Sequence, residues 1–202
     1  MRALLVGGNG FIGSSLALAL RARGVDVAVL DPGCPRSDVD WEGIEYITGS
    51  LSDAGVTTRA LDGVDVVFHL AATTVPATSN LDPIADVQGN LVATLDLVGA
   101  MRTVGVRRIV YFSSGGAVYG NPSASPVPES HPLHPISSYG VVKGAIENYL
   151  HLYQHLGFLD PIVLRPSNPY GPRQSAAGIQ GAVAAFLGFA ARGERVRIWG
   201  DG

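Results

Sequence analysis

The sequence predicts a doubly wound α/β fold, a parallel sheet with helices on both faces, running into the beginning of a smaller C-terminal region. Three observations carry that prediction. Short apolar runs alternate with longer amphipathic ones along most of the chain, and strands buried on both faces of a parallel sheet read as nearly unbroken apolar runs. A glycine-rich turn, GGNGFIG at 7–13, joins the first apolar run to the first amphipathic one. An aspartate, Asp31, closes the second apolar run.

Taken in order, the predicted strands are 2–6, 26–30, 44–47, 65–70, 108–112 and 161–165. Helical periodicity covers about 11–23, 53–61, 83–104 and 138–156, and again about 178–192 before a short strand pattern at Arg195 to Trp199. The stretch NPSASPVPESHPLHP at 121–135 holds too many prolines for a helix or a central strand and is expected to be a long loop. We place a dinucleotide-binding domain at 1–170 and the start of a substrate-binding region at 171–202. Gly200-Asp201-Gly202 is a turn sequence that should lead into more protein, so a truncated form is expected.

With 47% hydrophobic and 15% charged residues among 202, the chain can bury a substantial core and is no disordered tail. A net charge of −3, without a run of Lys or Arg, gives no electrostatic reason to expect nucleic acid or an anionic membrane as partner. The lone Cys34 excludes an internal disulfide framework and a cysteine-based metal cluster. It reads as a loop residue in a protein of the reducing cytoplasm. Gly7, Gly8, Asn9 and Gly10 interrupt the N-terminal apolar segment too early for a secretory signal, and no run is long enough to span a membrane.

Glycines at 7, 10 and 13 let the chain turn sharply, bring backbone amides against a pyrophosphate and pack the helix close to the sheet. Phe11 and Ile12 open that helix. Asp31, about twenty residues further on, suits the dinucleotide fingerprint: it accepts hydrogen bonds from a ribose diol and repels a 2′-phosphate. NAD is therefore favoured over NADP, with Arg36 as the one nearby residue that argues the other way. A second motif is Tyr139-Gly140-Val141-Val142-Lys143 at the start of a helical pattern, downstream of a strand ending in Ser113-Ser114. Tyr and Lys at this spacing share a helix face, where the ammonium is expected to stabilise tyrosinate and lower the phenol's pKa. Such a tyrosine can move a hydroxyl proton while hydride passes to or from a nicotinamide.

These motifs, with HLAA at 69–72, Asn90 and Thr94 in NLVAT, SSGGAVYG at 113–120 and RPSNPYGP at 165–172, resemble the NAD-dependent sugar-nucleotide epimerase/dehydratase family of the extended short-chain dehydrogenase/reductases, most of all its UDP-sugar 4-epimerases. The resemblance implies a Rossmann-like sheet, NAD as cofactor, a nucleotide sugar as substrate and a homodimer built on helices 83–104 and 138–156. It makes Tyr139 and Lys143 the catalytic pair, with Ser114 beside them. Leu70, Ala71, Ala72, Asn90, Ser113 and Pro166 would line the cofactor's path, and Asn168 would meet the sugar nucleotide. His69 reads as a packed strand-end residue.

The chain departs from the family pattern twice. The turn after the third strand carries Ser50 where relatives place an acidic residue for the adenine, leaving recognition to Ser50, Leu51 and Asp53. Counting back from Val118-Tyr119-Gly120, the position that supplies a hydroxyl is Gly115, a substrate-side residue with Ser114 immediately before it. The 4,6-dehydratases of the family keep Asp and Glu where this chain has Gly116 and Ala117, because eliminating water needs an acid and a base beyond the tyrosine. Epimerisation at C4 through a 4-keto sugar does not. Empty positions 115–117 also leave space that suits a bulky acylamino sugar. A 4-keto sugar-nucleotide reductase and a non-catalytic NAD-binding module stay open as alternatives.

Overall fold

The computed structural model describes residues 1–123, 125–174 and 181–196. Six strands form one sheet: β1 (Arg2–Val6), β2 (Asp26–Asp31), β3 (Ile44–Thr48), β4 (Val66–His69), β5 (Arg108–Phe112) and β6 (Asp160–Leu164). Their order is β3-β2-β1-β4-β5-β6, and every neighbouring pair is parallel. Chain direction across the sheet therefore reverses between β1 and β4, which opens a crevice at the carboxyl ends of those two strands.

The helices are α1 (Phe11–Arg21), α2 (Ala54–Ala60), α3 (Pro76–Ser79), α4 (Pro83–Asp86), α5 (Ala93–Val104), α6 (Ser138–His155) and α7 (Ala182–Ala191). Capping follows the sequence. Asp53 accepts from the Val56 amide at the head of α2, Asp82 from Ala85 at α4 and Ser137 from Gly140 at α6. Gly105, at φ 84°, ends α5 in the left-handed conformation that glycine adopts without strain. The helix expected at 83–104 is continuous through α4 and α5, with one difference: Val87–Val92 between them is wound as a π-helix. The predicted strand at the C-terminus lies, from residue 197 on, outside the described residues.

Leu4, Val6, Ala28, Leu30, Val67, Ile109 and Tyr111 form one side of the core, with Leu97 and Met101 of α5 and Val142, Ile146 and Leu150 of α6 packed on them. Ala3, Leu5, Val27 and Val29 turn to the opposite face and meet Ala17 of α1. Coverage is uneven. Ile162, Val163 and Leu164 of the edge strand β6 are exposed, as are Phe186 and Leu187 of α7. No helix among the described residues is long and apolar enough to cross a membrane.

Candidate active site

The segments that follow β1, β4, β5 and β6 meet the first turns of α1 and α6 around a cleft of about 780 Å³. Gly7 (φ 79°) has no room for a side chain, since a Cβ there would stand 2.6 Å from the Ala71 amide nitrogen. A Cβ on Gly13 would stand 2.6 Å from the Gly7 carbonyl oxygen, so these glycines allow α1 and the 70–72 segment to close on the turn. Gly10 differs: a Cβ there would meet only the Gly7 carbonyl, at 3.5 Å. Gly10 caps α1 without a side-chain hydrogen bond, and among the described residues nothing accepts from the Phe11 and Ile12 amides. Unpaired amides at the positive end of a helix, facing open space, fit a dinucleotide pyrophosphate.

Asp31 ends β2, where its carboxylate accepts from the Asn9 amide (3.2 Å) and the Gly33 amide (2.9 Å). Arg36 holds Asp38 in a two-pronged pair at 2.8 Å on each arm, so its guanidinium is already engaged. Asn9 ties the glycine turn to this loop by donating to Cys34 O (2.8 Å) and accepting from the Arg36 amide (3.0 Å). Ser50 and Leu51 follow β3, and the Ser50 hydroxyl accepts from Ser52. Asp53 does not face a ligand; it is the cap of α2.

Phe11, Ile12, Leu70, Ala72, Ser113, Ser114, Tyr139, Lys143, Pro166 and Asn168 all line the cleft. Tyr139 is half-buried in the first turn of α6, and Lys143 lies buried one turn later on the same face, 5.5 Å from the Tyr139 ring centre. Its ammonium donates to the Phe112 carbonyl at 2.8 Å and lies over the Tyr111 ring. Burial pushes the Lys143 pKa down to about 8, against the pull of the Asp86 and Glu147 carboxylates. The expected fall in the Tyr139 pKa is not found. Burial, then the charge of Asp86, hold the phenol above its ordinary value, and the Ser114 hydroxyl opposes them through a hydrogen bond.

Two further expectations need correction. Asn90 is buried away from the cleft. Its amide group donates to Thr73, Thr74 and Asp86 while its oxygen accepts from the Thr73 amide, so it organises the 73–74 loop. Gly115 is not an open substrate edge either. Its amide donates to Pro166 O (2.9 Å), and a Cβ would lie 2.7 Å from Arg165 O, so it lines a neighbouring cavity with Arg165 and Glu147. Gly116 alone of the two glycines faces the cleft. His69 is packed, as expected: burial pushes its pKa down to about 3. Its Nε2 donates to Thr94 Oγ1 (2.8 Å), since the Thr94 proton goes to Asn90 O.

Sequence reasoning missed the polar anchors around α6. Ser138 N donates to Asn80 Oδ1 (2.8 Å), Tyr139 N to Ser79 Oγ (3.0 Å), and the Ser138 hydroxyl to Asp86 Oδ2 (2.6 Å). On the other flank, the Ser113 hydroxyl donates to Glu147, which Arg165 binds at 2.6 Å. Ser79, Asn80, Asp86, Ser138 and Glu147 belong to no motif that spacing alone could mark.

The NAD dependent epimerase/dehydratase family model matches residues 3–202. A UDP-glucose 4-epimerase of Mycolicibacterium smegmatis is 39% identical over 209 residues, covering 100% of this chain and 67% of the relative. The structure of a UDP-glucose 4-epimerase from Thermotoga maritima with UDP-glucose superposes with a TM-score of 0.90 at 37% identity, over 100% of this chain and 67% of that one. A Thermus thermophilus UDP-glucose 4-epimerase complex with NAD gives 0.85 at 37% identity, over 97% and 64%. The chain thus spans about two thirds of the length of the proteins it matches. A Rossmann-like sheet in the 3-2-1-4-5-6 order, a close-packed glycine turn at the head of α1 and a match along nearly the whole sequence place this chain in the NAD-dependent epimerase/dehydratase family.

Proposed function

We propose that the chain is the NAD-binding portion of a nucleotide-sugar 4-epimerase acting on UDP-sugars through a transient 4-keto sugar. One observation carries the choice among the family's reactions. Among the described residues that line the cleft, only Tyr139 and Lys143 are titratable; there is no Asp, Glu, His or Cys. Elimination of water needs a general acid and a base in addition to the tyrosine, whereas epimerisation needs one group to take and return the O4 proton.

In this reading Tyr139 is that group, the Ser114 hydroxyl beside it in the cleft would bind O4 and guide its proton, and Lys143, 5.5 Å from the Tyr139 ring centre, would supply positive charge as that proton moves. A bound NAD would supply the hydride acceptor and donor that exchange at C4 requires. Gly7, Gly10, Gly13 and the first amides of α1 would hold its pyrophosphate, Asp31 its adenosine ribose, Ser50 and Leu51 its adenine, and Leu70 to Ala72 with Pro166 its path to the cleft. Asn168 would reach the sugar nucleotide, with residues 171–202 beginning the substrate-binding region. Val141, Tyr149 and Leu152 on α6, with Leu156 at its C-terminal cap, form an exposed apolar stripe that suits pairing of two copies, and one exposed thiol suits the cytoplasm.

The test is incubation of the longest chain carrying this sequence with NAD and a panel of UDP-, dTDP- and GDP-hexoses, with products read by NMR. A C4 epimer without net change in NADH is the expected product, and Tyr139→Phe should slow its formation about a hundredfold or more with NAD still bound. Dehydrated products alone, or net consumption of NADH, would overturn the epimerase reading. Parental turnover in Tyr139→Phe would remove the tyrosine from the chemistry.

A further inference from the structure

Asp86 is fully buried, yet it sits in no motif and lines no cavity. Its Oδ1 accepts from Thr74 Oγ1 (2.6 Å) and Asn90 Nδ2 (2.9 Å), and its Oδ2 from Ser138 Oγ (2.6 Å). The Thr74 hydroxyl itself accepts from Asn90 Nδ2 at 3.3 Å, so its own proton is free to point at the carboxylate. Thr74 belongs to the loop that forms one wall of the cleft, and Ser138 immediately precedes Tyr139 on the other. The π-helical winding that starts at Val87 sets Asn90 where its amide reaches both the carbonyl and the carboxylate of Asp86. Such local rewinding recurs at functional sites.

A carboxylate with three neutral donors and no cation in contact is an expensive thing to bury unless its charge has a use. The titratable groups packed around the Tyr139–Lys143 pair are few. Asp86 comes from α4, His69 from β4, Tyr111 from β5 and Glu147 from the next turn of α6. Arg165 takes the charge of Glu147, and His69 is neutral. Asp86 is left as the negative charge that the pair faces.

We propose that Asp86 is the positioning residue of the Tyr139–Lys143 pair: through Ser138 it fixes the first turn of α6 against the Thr74–Asn90 loop, and its charge counterbalances Lys143. This rests on the reading of Tyr139 and Lys143 as the reacting pair. The same charge makes the Tyr139 phenol harder to ionise.

Asp86→Asn keeps the shape and removes the charge; Ser138→Ala keeps the charge and cuts the tie. Titration of ¹³Cζ-labelled tyrosines by NMR, with Tyr139→Phe identifying the resonance, reads the phenol directly and needs no turnover. In Asp86→Asn the Tyr139 phenol is expected to ionise at lower pH than in the parent, and the acid limb of the pH–kcat profile of the longest chain should move the same way. In Ser138→Ala the phenol should titrate as in the parent while kcat falls about tenfold or more, with the KM for the sugar nucleotide little changed. A Tyr139 titration in Asp86→Asn superimposable on the parent's would overturn the proposal. If Asp86→Asn does not fold, parental kcat in Ser138→Ala overturns it instead. Parental turnover in Tyr139→Phe would remove the tyrosine from the chemistry, and with it the premise of a reacting pair to be positioned, whereas a superimposable titration in an otherwise Tyr139-dependent enzyme would overturn the role of Asp86 alone.

Discussion

At neutral pH Lys143 holds its proton in a place that resists charge. In the unfolded chain the amine binds a proton below its ordinary 10.5, and in the folded chain only below about 8. Between those values the unfolded state carries the extra proton, so stability rises with pH across that window, and the whole penalty applies below about 8. Lys143→Met should therefore melt higher than the parent at pH 7, by at most about 3 kcal/mol before the lost bond to the Phe112 carbonyl is subtracted. The advantage should fade as the pH approaches 10, and thermal denaturation at the two pH values checks both statements. A charge kept against that penalty suits the role proposed for Lys143. The Tyr139–Lys143 pair was legible because helical spacing alone puts the two on one face. The direction of the Tyr139 shift was not, because it depends on burial and on Asp86, more than fifty residues away in sequence.

Helix α6 can deliver Tyr139 to the cleft only because of what the next residue lacks. A Cβ on Gly140 would stand 2.5 Å from the Ala117 carbonyl oxygen and 2.8 Å from Pro135 Cβ, so the helix touches the 113–120 segment backbone to backbone. Gly140→Ala is expected to destabilise the fold by about 1–3 kcal/mol, read by urea denaturation, because the helix start must retreat. Gly144→Ala, one turn on, meets only Leu133 Cδ1 at 3.8 Å and should instead stabilise by about 0.5–1 kcal/mol through helix propensity. At this scale the strands and main helices were readable from periodicity. The π-helical turn and the filling of the Gly115 position were not, since both arise where separate segments meet: Thr73 against Gly89, and Arg165 to Ser167 against Gly115.

Across the whole molecule, the doubly wound parallel sheet followed from the alternation of strands and helices with the glycine turn at the first crossover, which leaves few topologies to choose among. The uneven cover on β6 was hidden, because an apolar strand reads the same whether or not anything packs on it. The reversal between β1 and β4 has a further effect. Asp31 and the glycine turn lie on one side of it, while Ser114, Tyr139 and Lys143 lie on the other. The crevice in which we propose that the dinucleotide sits therefore does not exist until β1 and β4 have paired, Ala3 with Val66 among them. Such long-range pairing forms slowly and late. NAD at a hundred times its Kd should add about 2.7 kcal/mol to stability, and stopped-flow mixing should find that gain almost wholly as slower unfolding, with the refolding rate unmoved. The cofactor would then act as a latch on a finished barrier crossing: it sets how long the native state lives without helping the chain to reach it.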